Sequence, residues 1–334
     1  MGADVFEAHR ELLGSTANQI LGWSLEEMCL EGPAEELTRT EHAQPALFAV
    51  AYATWISFRQ RVGISPSVAA GHSLGEYTAL AAAGSLTFED GLRLVAERGR
   101  FMAEAADAAP SGMAALLGAD RATADLVVQT SESQGGTLQI AAEAADAAPS
   151  GMAALLGADR ATADLVVQTS ESQGGTLQIA NLNAPGQIVV AGSDADLDWL
   201  ESNARDLGVR RAVRLKVAGA FHSSYMSSAA DKLAKVIEGV QFSTPEFDVV
   251  ANASASPHEP EQIGNALVEQ VVSPVQFESS LEAIETSGVD VFVHIGPGDV
   301  TAGLAKRTVP DAQVFTVSKM DDIDPVAESL GTMV

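Results

Sequence analysis

Residues 103–141, AEAADAAPSGMAALLGADRATADLVVQTSESQGGTLQIA, are followed at 142–180 by the same 39 letters. Structural repeats diverge in sequence and stack in three or more copies, because each buries a face on the next. A perfect tandem pair reads instead as a recent duplication or a sequence-assembly error. The fold is therefore expected to use one copy. The other is expected to be looped out, or docked imperfectly on a sheet edge away from the chemistry.

Downstream of the pair come "TLQIANL", "GQIVVAGS", "DADLDWLESNARDLG" and "RRAVRLKV". With one copy of the repeat these give the order β-α-β-β-α-β, the ferredoxin-like pattern. Residues 111–218 are read as a small inserted α+β domain of this kind, with its first βα half duplicated. The flanking stretches differ. "EEMCLEGPAEELTRTEHAQPALFAVAYATWISFRQRVG" has helical spacing, with Leu47, Val50, Ala51, Thr54 and Trp55 on one face. "PSVAA" reads as a short buried strand, and "HSLGEYTALAAAG" as a tight turn into a helix stopped at Gly84. "VDVFVHIG" and "AQVFTVS" close the chain as further strands. Residues 1–110 and 219–334 thus form a large α/β domain, α/β-hydrolase-like, interrupted by the small one.

The 334 residues carry a formal charge of −26, which argues against nucleic acid as a partner, since phosphates need clustered Lys and Arg. The extra repeat copy contributes five acids and one Arg, so the rest of the chain is strongly acidic without it. A single cysteine, Cys29, precludes an internal disulfide framework and suits a reducing compartment. There is no apolar run of membrane-spanning length, and "MGADVFEAHRELLG" lacks the apolar core of a signal peptide. A soluble, cytoplasmic chain is expected.

In "VAAGHSLGEYTAL" a strand runs into Gly-x-Ser-x-Gly and a helix runs out. That geometry exposes a serine oxygen on a strained elbow at a helix N-terminus, which makes Ser73 a candidate nucleophile. The bland alternative is a capping serine in a glycine-rich turn. A serine needs a base within hydrogen-bond reach. Among six histidines, His72 adjoins the serine but its side chain should diverge. His9 and His42 sit in solvent-prone helical segments, His258 in a polar Pro/Glu loop, and His294 inside an apolar strand as a core residue. His222 in "KVAGAFHSSYM" follows a strand and precedes a helix, and is the best candidate base. Arg93, Arg98 and Arg100 share one helix, where solvated charges are the default reading.

Several pieces together resemble the malonyl-CoA:acyl carrier protein transacylases of fatty-acid synthesis and the related acyltransferases of polyketide synthases. They are "GPAEELTRTEHAQPALFA", "AGHSLGEYTAL", "LRLVAERGRFM", "NLNAPGQIVVAG", "GAFHSSYM", "LVEQVVSPVQF" and "HIGPGDVTAGLAKR", in the family's order. The resemblance implies that Ser73 accepts malonyl from coenzyme A and that His222 is its base. It implies that the main-chain carbonyl of Gln270 orients the imidazole; without it Gln270 would pass for a helix-surface residue. Arg98 would hold the free malonyl carboxylate, a task suited to a guanidinium fork. Phe221 matches the form linked to malonyl rather than branched units. The backbone N–H of Leu74 would serve the oxyanion hole. The family opens with a central strand and a GQGxQ loop that gives a second oxyanion donor. "MGADVFEAHR" lies just downstream of that motif, so both are expected to be missing and the strand's neighbours left unpaired.

The activity implied is ping-pong transfer of malonyl from malonyl-CoA through Ser73 to the phosphopantetheine thiol of an acyl carrier protein. No metal or bound cofactor, no nucleic acid, no membrane and a monomeric enzyme are expected. Carrier proteins are acidic, so a local basic patch is needed: Arg205, Arg210, Arg211, Arg214 and Lys216, or else Lys306 and Arg307. Two rivals remain at this stage: an acyl hydrolase of the same fold, and a catalytically inactive homologue that only binds.

Overall fold

The computed structural model describes residues 1–108 and 150–332. Short helices open the chain: α1 (Ala3–Ala8), α2 (Ala17–Leu21), α3 (Leu25–Leu30) and α4 (Ala34–Thr38). The long helical pattern read from Glu26 onward is therefore broken, and only α5 (Thr40–Val62) is continuous. Ser24 caps α3 by accepting from the Glu27 N–H, and Gly63 ends α5 in the left-handed conformation. Then come β1 (Val68–Ala70), α6 (Leu74–Ala82) and α7 (Phe88–Asp107). α7 lies tight against α5 because glycines face it. A Cβ at Gly91 would strike the Phe48 ring, and one at Gly99 would come within 2.7 Å of the Thr40 carbonyl oxygen.

The second repeat copy builds β2 (Ser150–Leu156) and α8 (Arg160–Ser172), followed by β3 (Gln178–Ala184), β4 (Gln187–Ser193), α9 (Asp194–Asn203) and β5 (Arg211–Arg214). The sheet order is β5-β2-β4-β3, all antiparallel, with β7 (Val275–Gln276) added in parallel to β3. Asp159 caps α8, and Ser193 with Asp196 forms a capping box on α9. Apolar residues alternate inward along these strands and pack under α8 and α9, with Leu155, Val190 and Leu197 fully covered. The first copy's expected displacement lies outside the described residues from 109 onward.

The rest of the chain supplies α10 (Ser227–Ile237), β6 (Asp248–Val250), α11 (Ile263–Val272), α12 (Phe277–Thr286), β8 (Val291–Ile295), α13 (Val300–Thr308), β9 (Gln313–Val317) and α14 (Ile323–Gly331). β1 pairs in parallel with β6, and β8 in parallel with β9. These are separate two-stranded sheets. β1, which reads as a short buried strand, is half-buried at every residue, and so is β8. The architecture is mixed α/β. Among the described residues no helix is long and apolar enough to cross a membrane.

Candidate active site

Ser73 sits between β1 and α6 with φ 51° and ψ −104°, a conformation a non-glycine residue rarely adopts. The turn closes so tightly that a Cβ on Gly71 would run into the backbone of Gly75. Asn252, fully buried after β6, locks it: its Oδ1 accepts from the Ser73 N–H at 2.7 Å and its Nδ2 donates to the Gly71 carbonyl at 2.6 Å. The side chain of Ser73 is thereby held out at the start of α6. There the N–H of Leu74, first residue of the helix, is one of those with no intrahelical acceptor. The positive end of the helix dipole points the same way.

His222 also has a left-handed backbone, φ 57°, in the loop before α10. Its Nε2 lies 2.8 Å from Ser73 Oγ and its Nδ1 lies 2.8 Å from the main-chain oxygen of Gln270 on α11. A carbonyl only accepts, so Nδ1 carries the proton and Nε2 offers a lone pair to the serine hydroxyl. Burial, together with the Arg98 charge nearby, pushes the imidazole down to a pKa of about 3. It is a neutral base at every ordinary pH.

The three arginines of α7 part company. Arg93 pairs with Asp90, and Arg100 with Glu97 and Glu104, all on the exposed face. Arg98 is 1% exposed. Its guanidinium donates to Gln44 Oε1, to Gln270 Oε1 at 2.8 Å and to Ser73 Oγ at 2.9 Å, and the Tyr77 ring lies 5.5 Å away. All three acceptors are neutral, and among the described residues its buried Nε has no partner. Burial lowers its pKa from the ordinary arginine value. A buried cation whose hydrogen-bond acceptors are all neutral, with the Glu76 carboxylate close enough to act on it and Ser73 Oγ in contact, is chemically suited to meet an anion.

Gln270 does more than its carbonyl requires, and it is no surface residue: it is 1% exposed. Its Nε2 donates to the Ser73 carbonyl at 2.9 Å and to Glu76 Oε2 at 2.7 Å. Glu76, fully buried, also accepts from the Asn252 N–H at 3.1 Å. Its other oxygen lies 2.7 Å from His258 Nε2. His258, in its polar Pro/Glu loop, thus turns its side chain into a buried network, because the Glu76 carboxylate needs a partner there. Gln44, Asn252, Glu76 and His258 were missed by the sequence reading. The signals were slight: Glu76 directly follows the serine motif, Gln44 lies between Ala43 and Pro45, and Asn252 lies between two alanines.

The other histidines stay away. His72 turns to Asn183 Oδ1 at 2.7 Å, and His9 to Ser57 Oγ at 2.6 Å. His294 is half-buried rather than a core residue, and bonds Thr301 and the Gly296 and Gly298 carbonyls. Phe221 is half-buried against the main core. In the basic stretch, Arg214 is held by Asp194, Asp198 and Glu201, and Arg307 donates to Gln187. Among the described residues no group of three or more His, Cys, Asp or Glu is placed to hold a metal ion.

Residues 2–138 and 142–333 match the family described as the acyl transferase domain. The chain is 35% identical over 333 residues to the malonyl CoA-acyl carrier protein transacylase of Bacillus subtilis, covering 99% of this chain and 92% of that one. It is 33% identical over 316 residues to the protein of the same name from Escherichia coli, covering 94% and 88%. Among solved structures, the acyl-carrier-protein S-malonyltransferase of Bartonella henselae superposes with a TM-score of 0.82 at 31% identity, covering 99% of this chain and 95% of that one. A complex of a type II polyketide synthase acyl carrier protein with its malonyl-transacylase gives 0.81 at 32% identity, covering 98% and 94%. With a match on both sides of the repeat and relatives a third identical along almost its whole length, the chain belongs to the acyl transferase domain family.

Proposed function

We propose that the protein is a malonyl-CoA:acyl carrier protein transacylase working through a malonyl-serine intermediate. The observation that carries this reading is Arg98, a buried cation met by neutral groups 2.9 Å from the serine oxygen. A substrate acyl group ending in a carboxylate supplies the missing charge; an acetyl group leaves it unmet. Relatives named as malonyl transacylases support the same substrate.

In the first half-reaction Ser73 Oγ attacks the thioester carbonyl while His222 Nε2 takes the hydroxyl proton. The Leu74 N–H, at the N-terminus of α6, stabilises the oxyanion. The C–S bond breaks and the imidazolium returns the proton to the coenzyme A sulfur. In the second half the carrier's phosphopantetheine thiol gives its proton to His222 and attacks the malonyl ester, and Ser73 leaves with the proton restored. The Gln270 carbonyl holds the imidazole tautomer in both halves. Phe221 disfavours a 2-methyl branch, a discrimination of about 1–3 kcal/mol. The thioester is a substrate, and no metal or resident cofactor enters.

We read residues 1–110 and 219–334 as an α/β-hydrolase-like catalytic domain and 111–218 as a ferredoxin-like insertion, with a monomer acting in the cytoplasm. The strand order β5-β2-β4-β3 supports the second assignment. For carrier docking, the ties of Arg214 and Arg307 to their own chain leave Arg205, Arg210, Arg211, Lys216 and Lys306 as the candidate contacts. The test is an intact-protein mass spectrum after brief mixing with malonyl-CoA. A malonyl adduct is expected, absent in Ser73→Ala and discharged onto added acyl carrier protein. Free malonate released without the carrier would support a hydrolase, and no adduct at all a binding protein.

A further inference from the structure

Glu76 is a carboxylate sealed in the core beside the nucleophile, and the transfer described above makes no use of it. Burying such a group is costly unless its oxygens are met by donors. Here one oxygen accepts from Gln270 Nε2 at 2.7 Å and from the Asn252 N–H at 3.1 Å. The other faces His258 Nε2 at 2.7 Å, and since a carboxylate only accepts, that nitrogen carries the proton. Asn252 and His258 reach Glu76 from one loop that folds back on β6. The Ala251 N–H donates to the Ser256 carbonyl, the His258 N–H to the Val249 carbonyl, and Ala255 is left-handed at φ 53°.

The consequence falls on the side-chain amide of Gln270, which has a donor end and an acceptor end. Only its NH2 suits the two oxygens of Glu76 and of the Ser73 carbonyl, so its own oxygen must face Arg98. It accepts there from Nη2, the same nitrogen that reaches Ser73 Oγ. With the amide turned over, NH2 would meet guanidinium and that nitrogen would lose its hold. Burial lowers the Arg98 pKa, and the Glu76 charge works against burial. We infer that Glu76 and His258 are positioning residues for recognition of the acyl carboxylate: they fix the Gln270 amide, and through it the Arg98 nitrogen beside Ser73. The inference rests on the reading of Arg98 as the receptor of that carboxylate.

The test measures kcat/KM of the full chain for malonyl-CoA and acetyl-CoA in transfer to acyl carrier protein, with a melt of each variant. Glu76→Gln should lose about tenfold or more toward malonyl-CoA, chiefly in KM, and much less toward acetyl-CoA. His258→Leu should shift the ratio the same way. His258→Gln, whose amide nitrogen can stand where Nε2 stands, should keep most of the preference. Placed in Arg98→Ala, Glu76→Gln should leave the malonyl-to-acetyl ratio where Arg98→Ala alone puts it, because the effect runs through Arg98. If Glu76→Gln does not fold, the two His258 variants decide. Equal losses toward both substrates, or an intact malonyl preference in folded Glu76→Gln or His258→Leu, would overturn the inference and leave Arg98 as the receptor. A malonyl preference that survives Arg98→Ala alone would overturn the carboxylate reading, and this inference with it.

Discussion

Ser73 and His222 are both held in the left-handed region, at φ 51° and 57°, and neither is glycine. Conformations of this kind persist where the surroundings over-determine them, as Asn252 does for Ser73. The pH behaviour of the pair follows from Arg98, whose charge adds to burial in depressing the imidazole to about 3. Sulfonylation of Ser73 by phenylmethylsulfonyl fluoride should therefore not fall off near pH 6.5, where an ordinary imidazole protonates, and should hold down to about pH 5. In Arg98→Gln the depressing charge is gone, the His222 pKa rises, and the acid limb moves to higher pH. Coincident limbs near pH 6.5 in both proteins would contradict this. For stability, a histidine kept neutral by the fold favours the unfolded chain once pH drops below about 6.5. His222→Gln should then lose less stability between pH 7 and 5 than the wild type. The pairing of Ser73 with His222, the proposed nucleophile and base, was legible in the sequence as a motif and a loop histidine. Arg98 was not separable from Arg93 and Arg100 by spacing alone, because the difference lies in which face of α7 packs against α5.

At the scale of the element, the β1–α6 turn separates two glycines that look alike in Gly-x-Ser-x-Gly. A methyl on Gly71 collides with the backbone of Gly75, which has nowhere to go, whereas one on Gly75 meets nothing within 4 Å. Gly71→Ala is expected to cost at least about 2 kcal/mol and to abolish acyl-enzyme formation. Gly75→Ala should be neutral or stabilising by up to about 0.5–1 kcal/mol, since alanine is the better helix former. Thermal melts and adduct formation decide it; equal damage from both would show that the turn geometry is wrong. Period-2 and period-3.6 patterns located most strands and helices. They did not locate the break at α3 and α4, where local turns override a continuous apolar stripe. Nor did they show that β1 and β8 would each pair with a single strand among the described residues, since hydrophobic pattern reports what a strand is suited to meet and not what it meets.

Over the whole molecule, the antiparallel sheet needs only one copy of the 39-residue repeat, and the copy ending at residue 180 supplies it. The two ends that a deletion must rejoin already lie close together. Ala106 of α7 packs at Gly219, and the neighbouring Ala220 N–H donates to Ser150 Oγ at 3.3 Å at the start of β2. Removing one copy should leave malonyl transfer within about twofold of the parent, because the length of chain between two joined points changes the cost of closing it only slowly. Loss of folding or of transfer on deletion would mean that both copies are structural. Perfect repetition made the duplication plain in the sequence. Which copy pairs was not, since identical letters carry no register.

The most direct measurement compares kcat/KM for malonyl-CoA and acetyl-CoA in the wild type and in Arg98→Ala. If Arg98 receives the substrate carboxylate, the variant loses on the order of a hundredfold or more toward malonyl-CoA. Acetyl-CoA should be used as well as before or better, so that the preference collapses. An unchanged malonyl preference in a folded Arg98→Ala enzyme would contradict the account.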